Sequence, residues 1–426
     1  MQFRDDIPTP ALLLDLDAFE SNITTMAGHL RARGKAFRPH GKTHKCPEVA
    51  RALINAGAIG CCAARLAEAE VFADHGIRGL LITTAVIGGD KIARAVALAK
   101  RAPDTIFCVD DEANVRQLDA AAQAAGIRVL VAIDLYFGRT GVLPGEPALA
   151  LARVIASLRN LTLVGLQSYD GDAAHTTPFE ARKVRTDGSM AKAIETRALI
   201  ERDGIACPMV TGGSTGTYRF DAENPGMTEL QPGSFVFMDI DYRRIGGPDG
   251  PEYRDFKNAL TVVTTVVSRP PGFAIVDGGY KAFATDRPFT PRPVDLPGVL
   301  YAWAGDEHGR LNLTDSPRDV KVGDRLEFIP PAVFIAGPRV HDAGQVHRPW
   351  CERPIGGEGL VAAIDDRETR RARDDRGHHG ERVLEVAVLG TVGSANPAVV
   401  EIHEHEAARL QFGDARVLRV EAVGAG

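Results

Sequence analysis

The segment FRPHGKTHK, residues 37–45, places a lysine among several cations where an apolar strand is expected to begin. Lys42 is the group there suited to covalent chemistry, because a partly neutral lysine amine attacks carbonyl carbons. Neighbouring cations raise the local positive potential, which disfavours a protonated Lys42 and attracts a phosphorylated ligand. We therefore predict a reactive lysine in this segment. The neighbouring cations are Arg38, His40, His44 and Lys45.

A second segment, TGGSTGTY at residues 211–218, has the composition of an anion-binding loop. Its glycines let backbone N–H groups approach an anion, and Ser214, Thr215 and Thr217 add hydroxyl donors. The loop is not of the Walker A type, since it contains no Gly-Lys-Ser/Thr. A tight strand-to-helix turn is the alternative interpretation. A reactive lysine and a phosphate-binding loop in one pocket suggest pyridoxal phosphate as the cofactor.

Eight short apolar runs alternate with helical patterns between about residues 36 and 240, which predicts a parallel sheet. The count of eight favours a closed (β/α)8 barrel over a doubly wound open sheet, and no Gly-x-Gly-x-x-Gly follows the first strand. The eighth predicted strand is FVFMD, residues 235–239. The other seven runs are AFRPHG, GCCAA, GLLITT, TIFCVD, RVLVAID, LTLVGLQ and CPMVTGG.

The polar motifs all follow predicted strands. In a (β/α)8 barrel the carboxyl ends of the strands form the face that carries active sites. Lys42 ends the first strand, Arg139 follows the fifth, and Tyr169 and His175 follow the sixth. The glycine-rich loop follows the seventh strand, and QPGSF adjoins the eighth. Five such motifs on one rim predict a single site there.

Beyond residue 255 the pattern changes to β-like runs separated by Gly, Pro and Asp, which predicts an antiparallel β domain. We expect the barrel to span residues 18–245 and the β domain to combine residues 1–17 and 246–426. A net charge of −6 gives no basic surface for nucleic acid or an anionic membrane. The N-terminus resembles neither a signal peptide nor a membrane span. Six cysteines in 426 residues predict buried, reduced thiols and a cytoplasmic protein.

The motifs together resemble a family: the fold-type III pyridoxal-phosphate enzymes that act on D-3-hydroxy amino acids. These are D-threonine aldolase, 3-hydroxy-D-aspartate aldolase and the eukaryotic-type D-serine dehydratase, and the aldolases are the most similar. The resemblance covers roughly residues 8–331 and implies an alanine-racemase-like barrel, a β domain that includes the N-terminal strand PALLLDL, and a homodimer. The motifs are FRPHGKTHK, GRTGVLP, YDGDAAH, TGGSTGTY, ELQPGSFVFMDIDY, IVDGGYKAFATD and DEHGRL.

The resemblance also implies roles for individual residues. Lys42 would hold pyridoxal phosphate covalently, and Arg139 would lie near the pyridine ring and its phenolic oxygen. His175 would take the proton from the 3-hydroxyl of the substrate in a retro-aldol cleavage, in a pocket lined by Tyr169. Asp306, Glu307 and His308 would approach from the second domain. The phosphate and the rest of the cofactor would be bound by Gly213, Ser214, Thr215, Gly216, Gln231, Gly233 and Ser234.

A divalent metal, Mn, Mg or Zn, is also expected from the resemblance, but its ligand motif is missing. The family places a His-x-Asp or His-x-Cys pair directly after a segment like GDRLEFIPP, whereas AVFIAGPRV follows Pro331 here. Residues 331–426 are therefore atypical, through either a replaced C-terminal segment or a shifted reading frame. We expect cofactor binding without a tightly held metal. Other candidate metal ligands are His378, His379, His403 and His405.

Three functions remain open from the sequence. The first is an aldolase that cleaves a small-molecule D-3-hydroxy amino acid to glycine and an aldehyde. The second is a dehydratase that converts such an amino acid to a 2-oxo acid and ammonia. The third is a pyridoxal-phosphate-binding protein with weak or no turnover, which the missing metal motif favours and the second domain disfavours.

Overall fold

The computed structural model describes residues 7–285 and 287–333, together with the backbone of two further strands at 361–365 and 385–388. Eight parallel strands are hydrogen-bonded in the order β2-β9-β8-β7-β6-β5-β4-β3. A parallel bridge between His40 and Cys62 joins the two ends of this order, so the sheet closes into a barrel. The strands are Ala36–Phe37 (β2), Cys61–Ala63 (β3), Leu80–Ile82 (β4), Ile106–Val109 (β5), Val129–Asp134 (β6), Leu161–Ser168 (β7), Met209–Gly212 (β8) and Glu229–Leu230 (β9).

Helices connect the strands on the outside, and their ends follow ordinary capping chemistry. Asp15 and Asp111 cap the helices that follow them, each carboxylate accepting a backbone N–H at 2.9 Å. Gly126 ends the fifth helix in the left-handed conformation, with φ 66°. No helix among the described residues is long and apolar enough to cross a bilayer. The helices are Leu16–Ala32 (α1), Pro47–Asn55 (α2), Leu66–Asp74 (α3), Gly89–Arg101 (α4), Glu112–Ala125 (α5), Glu146–Ser157 (α6), Phe179–Arg202 (α7), Tyr218–Glu223 (α8) and Ile240–Arg243 (α9).

The predicted barrel is confirmed, but the position of its eighth strand was wrong. The strand is Glu229–Leu230, and residues Ser234–Val236 of the run FVFMD form a 3₁₀ turn instead. The run is apolar because this turn is packed against the barrel and α1, and Phe235 and Val236 are buried there. A short buried apolar run fits a strand or a buried turn equally well by pattern. The correction places QPGSF after the eighth strand, at the rim.

The second domain is a mostly antiparallel sheet in the order β13-β14-β11-β10-β1-β16-β17, with β15 pairing with β10 and β12. The N-terminal strand β1 lies antiparallel to β10, as the resemblance implied. The sheet therefore draws on both ends of the described chain. Its strands are Ala11–Asp15 (β1), Leu260–Ser268 (β10), Phe273–Val276 (β11), Arg292–Pro293 (β12), Leu300–Trp303 (β13), Gly309–Asn312 (β14), Arg325–Ile329 (β15), Val361–Asp365 (β16) and Glu385–Val388 (β17).

The cysteines behave as predicted. The five within the described residues are free thiols and are buried. Cys62 and Cys108 pack inside the barrel with the apolar side chains of neighbouring strands. Burial raises the pKa of both thiols well above the ordinary range. They are therefore small apolar core residues, and Cys351 lies outside the described residues.

A buried ion pair connects the first and last strands of the barrel. Arg38 follows β2, and its guanidinium donates to the two carboxylate oxygens of Glu229 at 3.1 and 3.0 Å. Both side chains are almost fully enclosed, with 7% and 5% of their surface exposed. Arg38 also donates to the carbonyl of Gly79. Such a pair is costly to break, because removing one partner leaves an uncompensated buried charge.

We predict that Glu229→Gln lowers the free energy of unfolding by about 3–5 kcal/mol, the usual cost of stranding a buried charge. The matched control is Glu223→Gln, which removes the partner of Arg33 at the surface, where the two side chains are 33% and 63% exposed. The control should cost less than about 1 kcal/mol. Urea unfolding at pH 7 measures both, and equal small losses in the two variants would contradict the prediction.

Candidate active site

Three 3₁₀ turns at the carboxyl ends of barrel strands present residues singled out in the sequence. The turn Gly41–Thr43 follows β2 and carries Lys42. The turn Ala173–His175 follows β7, and Ser234–Val236 follows β9. Because the strands are parallel, their carboxyl ends share one face, and the turns meet there. In the first turn, Nδ1 of His40 accepts the backbone N–H of Lys42 at 3.3 Å.

Two cationic side chains lie close to the ring of Tyr169. Nζ of Lys42 is 5.2 Å from the ring centroid, and Cζ of Arg139 is 5.0 Å from it. Both distances are within the range of cation–π attraction. Tyr169 immediately follows β7, whereas the other two residues follow β2 and β6. The structure therefore brings Lys42 close to two residues that lie 97 and 127 positions later in the sequence, Arg139 and Tyr169.

The electrostatic prediction for the cluster around Lys42 was wrong for three of its four members. Burial lowers the pKa of His44 to about 4, and burial, then Lys42 and Arg139, hold the pKa of His40 well below its ordinary value. Both imidazoles are therefore neutral near pH 7. Arg38 keeps its charge but is neutralised by Glu229. The sequence shows which residues can be cationic. Their burial and their ion pairing depend on the folded barrel and are not visible in the sequence.

The glycine-rich loop is shaped by a buried carboxylate. The hydroxyl of Thr217 accepts the backbone N–H of Ser214 at 3.0 Å and donates to Oδ2 of Asp221 at 2.5 Å. Gly213 has φ 71°, and a Cβ there would lie 2.3 Å from Oδ2 of Asp221. A Cβ on Gly216 would lie 2.3 Å from the carbonyl oxygen of Ala174. Glycine is therefore required at both positions by the close approach of neighbouring groups.

The loop contacts the segment after the eighth strand. The backbone N–H of Phe235 donates to Oγ1 of Thr215 at 3.0 Å. A Cβ on Gly233 would lie 2.6 Å from Oγ1 of Thr43, the residue after Lys42. Ser234 is buried and forms a hydrogen bond with the side chain of Tyr242. The predicted phosphate-binding residues thus form one continuous lining beside Lys42.

A polar network beneath the rim was missed by sequence analysis, apart from Gln231. Nε2 of Gln167 donates to Oδ1 of Asp134 at 2.7 Å and to the carbonyl oxygen of Thr83 at 3.0 Å. Gln231 reaches Oε1 of Gln167 at 3.4 Å, and Oγ1 of Thr83 lies 3.3 Å from Nε2 of His40. The available signal was a polar residue ending each apolar run, LVAID and LVGLQ. These side chains form a fixed polar floor for the site.

His175 has two neighbours for which sequence analysis predicted no role. Its Nδ1 lies 3.7 Å from Oδ2 of Asp241, and its ring lies 4.9 Å from that of Tyr242. Both neighbours belong to α9, and Arg287 of the second domain contacts the same Asp241 oxygen at 3.1 Å. Burial lowers the pKa of His175, Asp241 raises it, and nearby cations lower it further. The imidazole is therefore a neutral potential base near pH 7.

The site fits pyridoxal phosphate by its donor set. A lysine, a glycine-lined loop with hydroxyls and an arginine beside an aromatic ring are the groups that this cofactor needs. The buried hydroxyls of Thr43 and Ser168 have no hydrogen-bond partner in the structure, and each adjoins a proposed cofactor residue in sequence. Buried hydroxyls are normally satisfied, so these two are suited to a bound polar group.

A metal site does not emerge from the described residues. Within residues 7–285 and 287–333, no three or more His, Cys, Asp or Glu side chains come together as a metal-binding group. His378, His379, His403 and His405 lie outside the described residues. Asp306 and Glu307 pair with Lys281 at 3.7 and 2.6 Å, and both are exposed. That Asp306 and Glu307 lie near the active site stays a prediction.

Comparison with known proteins identifies the family. The sequence pattern of the family described as alanine racemase, N-terminal domain, matches residues 14–241. The chain belongs to this alanine racemase N-terminal domain family. A serine dehydratase domain pattern matches residues 259–333, so the two matches together cover both domains. The matched part ends at Val333, close to the position where the sequence lost its resemblance at residue 331.

Several similar proteins are named as aldolases or dehydratases of 3-hydroxyaspartate or D-threonine. A 3-hydroxy-D-aspartate aldolase from Paracoccus denitrificans is 38% identical over 77% of this chain and 85% of its own. The structure resembles D-threonine aldolase from Filomicrobium marinum with TM-score 0.73 and 39% identity, covering 78% of this chain and 89% of that one. A D-threo-3-hydroxyaspartate dehydratase from Delftia sp. is 29% identical over 76% of this chain and 90% of its own.

We predict a pH dependence of stability from Asp221. Burial raises its pKa to about 7, although Thr217 and the N–H of Ser214 favour the carboxylate. A carboxyl whose pKa is raised by folding contributes to the free energy of unfolding. This contribution is complete below the ordinary Asp pKa near 4 and is lost as pH rises through 7. The free energy of unfolding of the wild type relative to Asp221→Asn should therefore fall by about 2–4 kcal/mol between pH 4 and pH 8.

Urea unfolding of both proteins across that pH range measures this difference. Asp239 is buried with a similarly raised pKa but is present in both proteins, so its contribution cancels. Asp74→Asn, at an exposed carboxylate paired with Arg101, is the control and should leave the pH dependence as in the wild type. A pH-independent difference for Asp221→Asn would show that its carboxyl does not titrate in this range.

Proposed function

We propose that the protein is a pyridoxal-phosphate-dependent aldolase that cleaves D-3-hydroxy amino acids to glycine and an aldehyde. The observation that carries the proposal is the convergence of Lys42, Tyr169, Arg139 and His175 beside the glycine-rich loop. The names of the similar aldolases support the substrate class. D-Threonine and 3-hydroxy-D-aspartate are the substrates to assay first.

The position of each residue in the site indicates its proposed role. Lys42 would hold the cofactor covalently, Arg139 would face its phenolic oxygen, and the loop 213–216 with Gly233 and Ser234 would hold the phosphate. Pyridoxal phosphate, when bound, supplies an electron sink for the bond broken at Cα. His175 would accept the proton of the substrate 3-hydroxyl, so that this oxygen becomes the aldehyde oxygen as the Cα–Cβ bond breaks.

A dehydratase is the second candidate, favoured by the serine dehydratase domain match over residues 259–333. The two reactions differ in which bond to the substrate breaks, and therefore in their products. Aldol cleavage releases glycine and an aldehyde, whereas dehydration releases a 2-oxo acid and ammonia. Glycine from D-threonine supports the aldolase, and ammonia without glycine would contradict it.

The covalent role of Lys42 gives a prediction independent of turnover. Borohydride reduction of the cofactor-loaded protein should fix the cofactor to Lys42, and peptide mass spectrometry should locate it there. Lys42→Ala should lose the visible absorbance band of the lysine-bound cofactor. Lys45→Ala, three positions away, is the matched control and should keep the band. A reduced adduct on Lys45 would overturn the assignment.

The role of His175 gives a kinetic prediction. His175→Ala should keep the cofactor absorbance and lower kcat for D-threonine cleavage by about 10²- to 10⁴-fold, the usual contribution of a general base. His75→Ala removes an exposed imidazole that contacts the carbonyl of Val71, and should leave kcat unchanged. A His175→Ala enzyme with unchanged kcat and raised KM would make His175 a substrate-binding group instead.

We further propose a homodimer in the cytoplasm. The resemblance supports the dimer, and the five free thiols among the described residues suit a reducing compartment. The resemblance also implies a divalent metal, but the described residues do not fit a metal site, and no step of the proposed reaction is assigned to one. Elemental analysis after dialysis measures any metal that the whole chain retains.

A further inference from the structure

His175 lies in a three-residue array that crosses the boundary between the domains. Nδ1 of His175 lies 3.7 Å from Oδ2 of Asp241 in α9, and Nε of Arg287 lies 3.1 Å from the same oxygen. The side chain of Asp241 is only 13% exposed. The array therefore connects His175 in a barrel turn to Arg287 of the second domain through the mostly enclosed carboxylate of Asp241.

Three atoms in this array are buried and make no hydrogen bond in the structure: Nδ1 of His175, Oδ2 of Asp241 and Nε of Arg287. The 3.7 Å between Nδ1 of His175 and Oδ2 of Asp241 exceeds hydrogen-bond length. Catalytic hydrogen bonds are often long without substrate and tighten when it binds. The facing donor and acceptor thus form a contact that is poised to shorten.

Asp241 is held from both domains. Its backbone N–H donates to the carbonyl of Pro331 at 3.2 Å. Asp239, two positions earlier, caps α9 by accepting the N–H of Tyr242 at 2.8 Å and also accepts the N–H of Val333 at 2.9 Å. The backbone of α9 at Asp241 is therefore held by residues 331–333 of the second domain, and the carboxylate of Asp241 contacts Arg287.

We propose that Asp241, paired with Arg287, is a positioning residue for His175. Its carboxylate accepts N–H from Nδ1, which leaves the lone pair on Nε2 for the substrate and stabilises the ring after it has taken a proton. Arg287 is the counter-ion of the Asp241 carboxylate. This inference rests on the proposed function, in which His175 takes the proton of the 3-hydroxyl.

The reaction balances at these atoms. The proton leaves the substrate oxygen for Nε2, the oxygen's electron pair forms the aldehyde carbonyl, and the electrons of the Cα–Cβ bond pass to Cα. The resulting imidazolium faces Asp241 through Nδ1–H. Cα then takes up one proton to give glycine and the imidazolium releases one, so no net proton is consumed. The charged and titratable groups that face His175 are Asp241 and Tyr242 from α9, Arg287 from the second domain, Arg182 from α7 and Lys42 from the first turn.

These neighbours predict opposite effects for two variants. Asp241 raises the pKa of His175, whereas Arg287 lowers it. The base must be neutral, so activity falls as pH drops through that pKa. Asp241→Asn should therefore move the acidic limb of the kcat profile to lower pH, and Arg287→Met should move it to higher pH. At pH 8, Asp241→Asn should also lower kcat by about 10- to 100-fold, the usual effect of losing an orienting partner.

Three further variants separate positioning from a structural role. Asp241→Glu keeps a carboxylate and should restore most of kcat and the wild-type acidic limb. Asp203→Asn and Arg153→Met break an ion pair of the same residue types at the surface, where Nη2 of Arg153 lies 2.7 Å from Asp203, and should leave the profile unchanged. Equal profiles for Asp241→Asn and Asp241→Glu would overturn the proposal.

Proton NMR titration of the His175 imidazole in the cofactor-loaded protein tests the contact without turnover, with His175→Asn used to assign the signal. We expect the imidazole pKa to fall in Asp241→Asn and to rise in Arg287→Met. No shift, or shifts in the same direction, would overturn the proposal. If the wild type cleaves no D-3-hydroxy amino acid while these shifts appear, the proposed function fails and the contact between His175 and Asp241 stands.

Discussion

The barrel closes because β2 pairs with β9 on one side, and the chain just after β2 pairs with β3 through His40 and Cys62 on the other. This closure places the end of the first strand beside the end of the eighth. Lys42 consequently lies next to the segment that carries Gly233 and Ser234. The buried pair of Arg38 and Glu229 lies at the same junction, so the position of the lysine depends on an interaction inside the barrel.

The charges at the rim are fewer than the sequence suggests. His40 and His44 are held neutral by burial, and Arg38 is neutralised by its carboxylate. Lys42 and Arg139 remain beside Tyr169, on the same rim as the glycine-rich loop. A cofactor phosphate placed in that loop would be held by backbone groups and hydroxyls, while Arg139 would be available for the ring. This separation suits a cofactor whose two ends carry different chemistry.

The sequence predicted the barrel because alternating strand and helix patterns have few solutions, and it predicted the rim because polar residues interrupt apolar runs at strand ends. It misplaced the eighth strand, since Glu229–Leu230 is only two residues long and Phe235–Val236 is the more apolar pair. Asp241 belongs to the motif ELQPGSFVFMDIDY, but nothing in the sequence predicted a role for it. Its role depends on the distance to His175, 66 positions earlier, and on Arg287 in another domain, which no local pattern contains.

Residues at the boundary between the domains contribute to the site as well as residues of the barrel. α9 rests on Pro330–Val333, and Arg287 reaches Asp241 from the second domain. The continuously described part of the chain and the serine dehydratase domain match both end at Val333, before the strands at 361–365 and 385–388. The groups proposed to hold the cofactor all precede this position, which is why cofactor binding is expected to be independent of the atypical segment.

A crystal structure of the protein with pyridoxal phosphate tests the convergence of the rim residues most directly. The predicted result is continuous density from Lys42 to the cofactor, with the phosphate against residues 213–216, Gly233 and Ser234, and Arg139 beside the phenolic oxygen. Cofactor bound at another face of the barrel, or at the rim with its phosphate away from the glycine-rich loop, would contradict the proposed site.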